Sequence, residues 1–192
     1  MTTIYRISTY SDDYMYFAMD DYEILSKMGE DFDTFALGNK SLADIWKTPD
    51  ATFLLSDTGA ISLPDISSWA NCLIFNQKAY DILADKLQAV GEALPVNVSG
   101  VTYYFFNVTT PIDDKYIDLD KSEKAYFEGM DAGIDNLEFK NEDIDDSILM
   151  FTTSYDGYSN IFCTEAFKSL IEKSGLTGVT FNTKLSIDLL KD

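Results

Sequence analysis

The 192-residue sequence contains no histidine. Without histidine, Ser-His-Asp and Cys-His nucleophile systems, histidine acid–base catalysis and the usual zinc sites are excluded. A phosphate-binding loop is also missing, since the ten glycines are scattered without the spacing that brings backbone amides to a pyrophosphate. These absences argue against nucleotide chemistry, and we expect neither a cofactor nor a metal.

Cysteines and long apolar runs are also scarce. The only two cysteines, Cys72 and Cys163, are each flanked by apolar residues, which predicts buried reduced thiols and not a disulfide scaffold. The N-terminus lacks a basic segment followed by an apolar stretch, and no run of about 18 apolar residues occurs. We therefore expect a cytoplasmic protein with no membrane partner.

Positive charge is in short supply. Fourteen Lys and Arg face thirty-three Asp and Glu, which gives a net charge of -19. Such a charge repels phosphate backbones and anionic lipid headgroups, so nucleic acid and membranes are disfavoured as partners and a basic protein is favoured. Solubility alone explains the same charge about equally well.

Apolar residues are abundant enough for one folded domain. They make up 46% of the chain, and aromatic residues make up 14%, so burial can offset the conformational entropy lost on folding. The patterns predict a single domain of the α/β or α+β class, with two main helices at about 77–90 and 165–173 packed on one face of a mixed sheet. The strands of that sheet are expected near residues 4, 53, 73, 104, 149, 161 and 180.

Two strand–helix units share one spacing. The pattern from Ile74 to Lys86 recurs from Ile161 to Lys173, at a constant offset of 87 residues. Internal duplication would produce this match, and so would two similar units that pack on the same sheet, which is the explanation we favour. In either case these apolar positions are core positions.

Acidic residues are concentrated between positions 113 and 146, where thirteen of them face four lysines. Apolar and aromatic side chains lie among them, as on surfaces that bind a basic partner through charges around aromatic anchors. The alternative is a solvated insertion whose aromatic residues only attach it to the core, and the exposure of two residues, Tyr126 and Phe139, distinguishes these hypotheses. The candidate partner-binding residues are Asp113, Asp114, Asp118, Asp120, Tyr126, Asp131, Asp135, Glu138, Phe139, Glu142, Asp143, Asp145 and Asp146.

A second acidic group surrounds Tyr14, Tyr16 and Tyr22. The sequence does not place it relative to the first group. Its members are Asp12, Asp13, Asp20, Asp21 and Glu23.

Several short motifs, taken in order, resemble a known family. They are Leu63-Pro64-Asp65-Ile66, Cys72-Leu73-Ile74-Phe75, Leu94-Pro95-Val96, Tyr103-Tyr104-Phe105-Phe106-Asn107-Val108, Ile117-Asp118-Leu119-Asp120-Lys121-Ser122, Ile161-Phe162-Cys163-Thr164-Glu165-Ala166-Phe167-Lys168 and Gly175-Leu176-Thr177-Gly178-Val179-Thr180-Phe181. Over roughly residues 60–182 the chain resembles a bacterial family of immunity proteins from polymorphic toxin systems. We therefore expect a family-like core at 60–182 with an acidic insertion at 113–146, preceded by N-terminal strands and a variable region at 1–60.

The resemblance implies a function. Such a protein is made beside a secreted toxin, often one that carries a nuclease domain, and neutralises this cognate toxin by tight cytoplasmic binding. No catalytic residues carry over, so we do not expect an enzyme. An acidic inhibitor can occupy a basic nuclease cleft in place of phosphate. The alternatives are an acidic DNA mimic or anti-defence inhibitor of a nucleic-acid-binding protein, a carboxylate-dependent enzyme, and an accessory subunit of a secretion machine.

Overall fold

Strands predominate in the part of the chain that the structure describes, and three helices are interspersed among them there. The computed structural model describes residues 2–9, 12–29, 32, 37, 39–127, 130–140 and 143–186. In chain order the elements are β1 (Ile4–Ser8), β2 (Tyr16–Met19), α1 (Asp21–Met28), β3 (Asp50–Leu54), β4 (Ile66–Trp69), β5 (Cys72–Phe75), α2 (Gln77–Leu87), β6 (Gly91–Val98), β7 (Val101–Val108), β8 (Pro111–Ile112), β9 (Glu123–Phe127), β10 (Met130–Asn136), β11 (Met150–Thr153), β12 (Phe162–Thr164), α3 (Glu165–Ser174) and β13 (Thr180–Asn182), with 3-10 turns at Asp114–Tyr116 and Ser154–Asp156.

The larger sheet has six strands in the order β2-β3-β6-β7-β5-β4. Its longest ladder is the β6–β7 hairpin, which pairs Gly91 with Val108 at one end and Val98 with Val101 at the other. The turn residues Ser99 and Gly100 both have positive φ, the backbone geometry that matches the twist of two antiparallel strands. The sheet is mixed, because β3 and β6 run parallel while its other neighbours are antiparallel.

A second sheet has five strands in the order β13-β1-β12-β11-β8, and β9 and β10 form a separate hairpin. The expected mixed α+β fold is present, but the single sheet is corrected to two larger sheets. Strands near residues 53, 73 and 104 lie in the six-stranded sheet, and those near 4, 149, 161 and 180 lie in the five-stranded one. Alternation of apolar residues shows which face of a strand is buried, but it does not show which strand is its neighbour.

Both sheets contribute to one central core. Leu73, Phe75 and Phe106 enter it from the six-stranded sheet, and Met150 and Cys163 enter it from the five-stranded sheet. The helices expected at about 77–90 and 165–173 correspond to α2 and α3, and both bury side chains in this core. These helical residues are Ala79, Leu83, Leu87, Phe167 and Ile171. A third helix, α1, was not predicted, so the description with two main helices is corrected to three.

The outer face of the six-stranded sheet is covered by the described residues between 20 and 46 (20–29, 32, 37 and 39–46), here called the N-terminal layer. Ile24, Leu37 and Leu42 of this layer pack with Ile74 and Phe105 of the sheet. Asp20 caps α1, since its side chain accepts a hydrogen bond from Glu23 N at 3.1 Å. The described parts of the layer thus close a second core.

The outer face of the five-stranded sheet is covered by the described residues between 113 and 146 (113–127, 130–140 and 143–146), here called the acidic layer. It closes a third core in which five of its apolar residues meet Ile4, Phe151 and Phe162 of the sheet. These five are Ile117, Ile134, Leu137, Phe139 and Ile144. The acidic insertion is therefore an integral layer of the fold.

The carboxylate of Asp65, a residue that is 9% exposed, links the start of β4 to the segment before β13. Asp65 accepts hydrogen bonds from Lys78 Nζ at 2.8 Å, from Asn76 Nδ2 at 2.9 Å and from Thr177 N at 3.0 Å. Burial alone would raise the pKa of Asp65, but these donors outweigh it and hold the pKa below its ordinary value. Gly178 allows the close approach, because a Cβ at that position would overlap the Ile66 carbonyl oxygen.

Both cysteines are free and buried, which confirms the prediction of buried reduced thiols. Burial raises the pKa of each thiol above its ordinary value. Among the described ranges, no helix combines the length and apolarity needed to cross a membrane.

Candidate partner-binding surface

Within the acidic layer, the segment before the β9–β10 hairpin pairs with the segment after it, in the manner of two antiparallel strands. Ile117 and Phe139 form an antiparallel bridge. Next to it, Asp118 N donates to Glu138 O at 2.9 Å, and Lys140 N donates to Tyr116 O at 2.8 Å. This pairing fixes which side chains face the sheet, because alternate residues of an extended chain point to opposite sides.

The two residues that distinguish the sequence hypotheses differ in exposure. Phe139 is 6% exposed, while Tyr126 is 66% exposed. The Phe139 ring packs edge-on against Phe151 and Phe162, with centroid separations of 5.4 and 5.3 Å. Phe139 therefore attaches the layer to the sheet, whereas Tyr126 faces solvent and is available to a partner.

The outer side of the layer carries carboxylates. Eight of the candidate residues are exposed, and within the described ranges none of the eight forms an ion pair with lysine or arginine. They are Asp113, Asp114, Asp120, Asp135, Glu138, Asp143, Asp145 and Asp146. Of the remaining candidates, Asp131 lies in β10, opposite Tyr126, and Glu142 lies outside the described residues.

Asp118 differs from these eight because it is half-buried and forms an ion pair with Lys121 at 2.8 Å. The hydrogen bond from Lys121 lowers the pKa of Asp118. Its charge is thus already balanced within the layer.

Hydrogen bonds hold several of the exposed carboxylates in place without neutralising them. Asp113 Oδ1 accepts from Lys115 N at 2.9 Å, and Asp114 Oδ1 accepts from Ser154 Oγ at 2.7 Å. The backbone N–H of Ser147 donates to Asp145 Oδ1 at 2.7 Å and lowers the pKa of Asp145. These negative charges are therefore fixed in position before any partner arrives, which reduces the entropy lost on binding.

Two depressions flank the 3-10 turn at Asp114–Tyr116. One has a volume of about 320 Å³ and is lined by charged and apolar side chains, with Asp118, Asp120, Lys140 and the exposed Leu119 on its wall. The other, here called the seam groove, has a volume of about 340 Å³ and lies where the two sheets meet. It is lined by Ala89, Val90, Thr110, Pro111, Ile112, Asp113, Tyr116, Ser147, Ile148 and Phe151. Most of this lining is apolar, in contrast to the acidic surroundings.

The second acidic group is used differently. Asp20 caps α1, and Glu23 forms an ion pair with Lys27 at 2.8 Å and accepts from Asp50 N at 3.0 Å. The hydrogen bond from Lys27, followed by that from Asp50 N, lowers the pKa of Glu23. At least these two acids therefore have partners inside the fold.

A polar cleft of about 280 Å³ lies between β2 and β4 and is also lined by Asn71 and Asn160. Behind it, Asp156 Oδ2 accepts from Asn160 N at 3.0 Å and from Asn160 Nδ2 at 2.9 Å. Burial raises the pKa of Asp156 to about 6, because these donors only partly offset the loss of solvation. No sequence pattern singles out this residue, since a single aspartate in a turn is common.

One comparison with known proteins gave a match. Residues 87–185, just over half of the chain, match the model of the immunity protein family Imm11. The matched segment contains the acidic layer, the whole lining of the seam groove and α3, whereas the N-terminal layer and β1 to β5 precede it. No curated protein matches the chain. The resemblance predicted from the motifs is confirmed, although the motifs at 63–66 and 72–75 precede the matched residues.

Proposed function

This chain belongs to the Imm11 immunity protein family, and we propose that it protects the cell by binding a cognate toxin through the outer side of the acidic layer. The observation that carries this proposal is the division of the layer into two sides. On its inner side five apolar residues are buried in the core, while on its outer side eight exposed carboxylates have no ion-pair partner among the described residues. Such a side is suited to a basic partner.

The partner we propose is a basic toxin domain, and a nuclease domain is the strongest candidate. A nuclease must attract a polyanion, so its cleft carries positive charge that fixed carboxylates can occupy. Tyr126 and Leu119, which are 66% and 62% exposed, would supply apolar contact among the charges. Inhibition of this kind requires no catalysis, and we place it in the cytoplasm, where the toxin would act.

The test is growth of cells that express the toxin domain encoded beside this gene, with and without this protein, followed by binding measurements at low and high salt. We expect specific rescue and a complex that weakens as salt rises, because exposed charges are screened.

Substitution of selected aspartates tests whether the acidic layer is the surface that binds the toxin. In one variant Asp113, Asp114, Asp145 and Asp146 are each changed to Asn. In the matched control, four exposed acids elsewhere are changed in the same way, namely Asp44, Asp57, Asp81 and Asp85. We expect the association rate to fall by about 10-fold to 100-fold for the first variant and to change little for the control.

Two results would contradict the proposal. Absence of both rescue and complex would remove the immunity function for this toxin. Equal losses in the two variants would show that net charge matters and that the acidic layer is not the contact surface.

A further inference from the structure

The seam groove is a preformed feature whose floor is formed by β8 and β11 of the five-stranded sheet and by Val90, which lies between α2 and β6. Val90 O accepts from Thr109 N at 3.0 Å and from Thr110 Oγ1 at 2.9 Å, which ties the residues after α2 to the link between β7 and β8. Ile112 is aligned with Thr153 in the parallel β8–β11 pair, and the Phe151 ring stacks on Phe162 at 5.8 Å. A floor of this kind needs little reorganisation to receive a ligand.

The volume of the groove suits one long side chain. At about 340 Å³ it is near the lower limit of small-molecule pockets, which run from roughly 300 to 1,000 Å³. Its floor is apolar and buried at Val90, Ile112 and Phe151, so the part of the ligand that enters must be apolar to gain from desolvation.

The charge at the rim of the groove favours a cationic ligand. Asp113 lines it directly, and Asp145 lies beside it because its carboxylate accepts from the backbone of Ser147, another lining residue. Lys115 does not balance this charge with an ion pair to either carboxylate in the described structure, since its Nζ lies over the Tyr116 ring, 4.8 Å from the centroid. An anionic or purely apolar ligand would leave these carboxylates unmatched.

We infer that the seam groove receives an arginine side chain of the toxin, with the methylene stem on the apolar floor and the guanidinium at the Asp113 rim. Arginine combines an apolar stem with a planar cation that pairs with a carboxylate through two parallel hydrogen bonds. Lysine could place its stem equally well, but it offers only a compact point charge. The assignment to the toxin rests on the proposed function, whereas the affinity of the groove for arginine does not.

The first experiment uses the whole protein and small compounds. Methyl NMR of the Ile112 and Ile148 side chains follows a titration with N-acetyl-arginine amide, and then with the neutral citrulline and norleucine analogues. We expect saturable shifts with the arginine compound and roughly tenfold weaker binding of the citrulline compound, because the charge-assisted hydrogen bond is lost. Asp113→Asn should remove most of that difference.

A groove-filling variant locates the binding. Ala89 is exposed and lines the groove, so Ala89→Trp should fill it without entering a core, and the methyl spectrum itself reports whether the variant is folded. Ala43→Trp, at an exposed alanine that does not line the groove, is the matched control. Equal binding of the three compounds, no shift at the two isoleucines, or unchanged binding to Ala89→Trp would each overturn the inference.

The second experiment separates the groove from the immunity function. If the wild-type protein protects against the toxin, Ala89→Trp should bind the toxin at least about 100-fold more weakly, as expected for a buried arginine anchor, while Ala43→Trp should protect normally. Full protection by Ala89→Trp would overturn the toxin assignment and leave immunity intact. Failure of the wild-type protein to protect would contradict the proposed function, and arginine binding in the first experiment would still stand.

Discussion

The N-terminal layer and the acidic layer perform the same structural task but differ in how their acids are paired. Each covers the outer face of one sheet and closes a core with its apolar residues. In the N-terminal layer, Asp20 and Glu23 are committed to a helix cap and an ion pair. In the acidic layer, eight exposed carboxylates form no ion pair within the described ranges, although three of them accept hydrogen bonds. Pairing, and not the number of acids, therefore separates charge used in folding from charge available to a partner.

The largest expected effect tests what the two layers share. Phe139→Ala in the acidic layer should lower the free energy of unfolding by about 3–5 kcal/mol, and Ile24→Ala in the N-terminal layer by about 2–5 kcal/mol. The reason is the same in both, since each side chain is buried in a core, at 6% and 1% exposure. Urea unfolding followed by circular dichroism measures both values.

Unequal results would contradict the shared structural role of the two layers. If Phe139→Ala changed stability by only a few tenths of a kcal/mol while Ile24→Ala had its full effect, the acidic layer would be a separable insertion. Tyr126→Ala is a suitable control, because Tyr126 is 66% exposed and its loss should leave the free energy of unfolding nearly unchanged.

Asp156 adds a third case, because it is a half-buried acid that forms no ion pair with a described residue. Its pKa is raised to about 6, so the folded protein binds a proton more tightly than the unfolded chain does, whose aspartate pKa is about 3.9. Stability is therefore lost as pH rises from about 4 to about 6, by up to about 3 kcal/mol. Asp156→Asn lacks this proton and can still accept from Asn160 through its side-chain oxygen.

The measurement is the difference in unfolding free energy between Asp156→Asn and the wild-type protein at pH 4 and pH 7. The difference should move in favour of the variant as pH rises. Asp57→Asn serves as the control, since Asp57 is exposed and should show no such trend. A difference that is independent of pH would mean that Asp156 is solvated in the folded protein.

The sequence predicted seven strands and two helices well, because these depend on local periodicity, but it did not predict β2, β4, β6, β8, β9 or β10. It failed on sheet membership, which depends on contacts between distant segments. The repeated spacing illustrates this limit, because Phe75 lies in the central core while its counterpart Phe162 lies in the core below the acidic layer. The helices of the two units also bury different positions of the repeated pattern. Leu83 is buried in α2, whereas Phe167 and Ile171, which are not its equivalents, are buried in α3. Apolar spacing alone could not distinguish these environments.

The candidate surface was predictable only in part. Composition located the acidic residues, but Phe139 and Tyr126 belong to one aromatic pattern and have opposite exposures. The seam groove was not predictable, because its lining runs from Ala89 to Phe151 and comes together only where the two sheets meet. Helix α1 was missed because it has only eight residues, too few for a convincing period.

The smallest expected effect tests how the two layers differ. Asp20→Ala removes the side-chain acceptor for Glu23 N and should cost about 1 kcal/mol, as is usual for a helix N-cap. The double change Asp120→Ala and Asp135→Ala removes two exposed charges from the acidic layer and should stay within about 0.5 kcal/mol of the wild-type protein. Thermal unfolding at low salt resolves the two cases. A small gain in stability for the double variant would strengthen the comparison, because it would show that these carboxylates repel one another until a basic partner arrives.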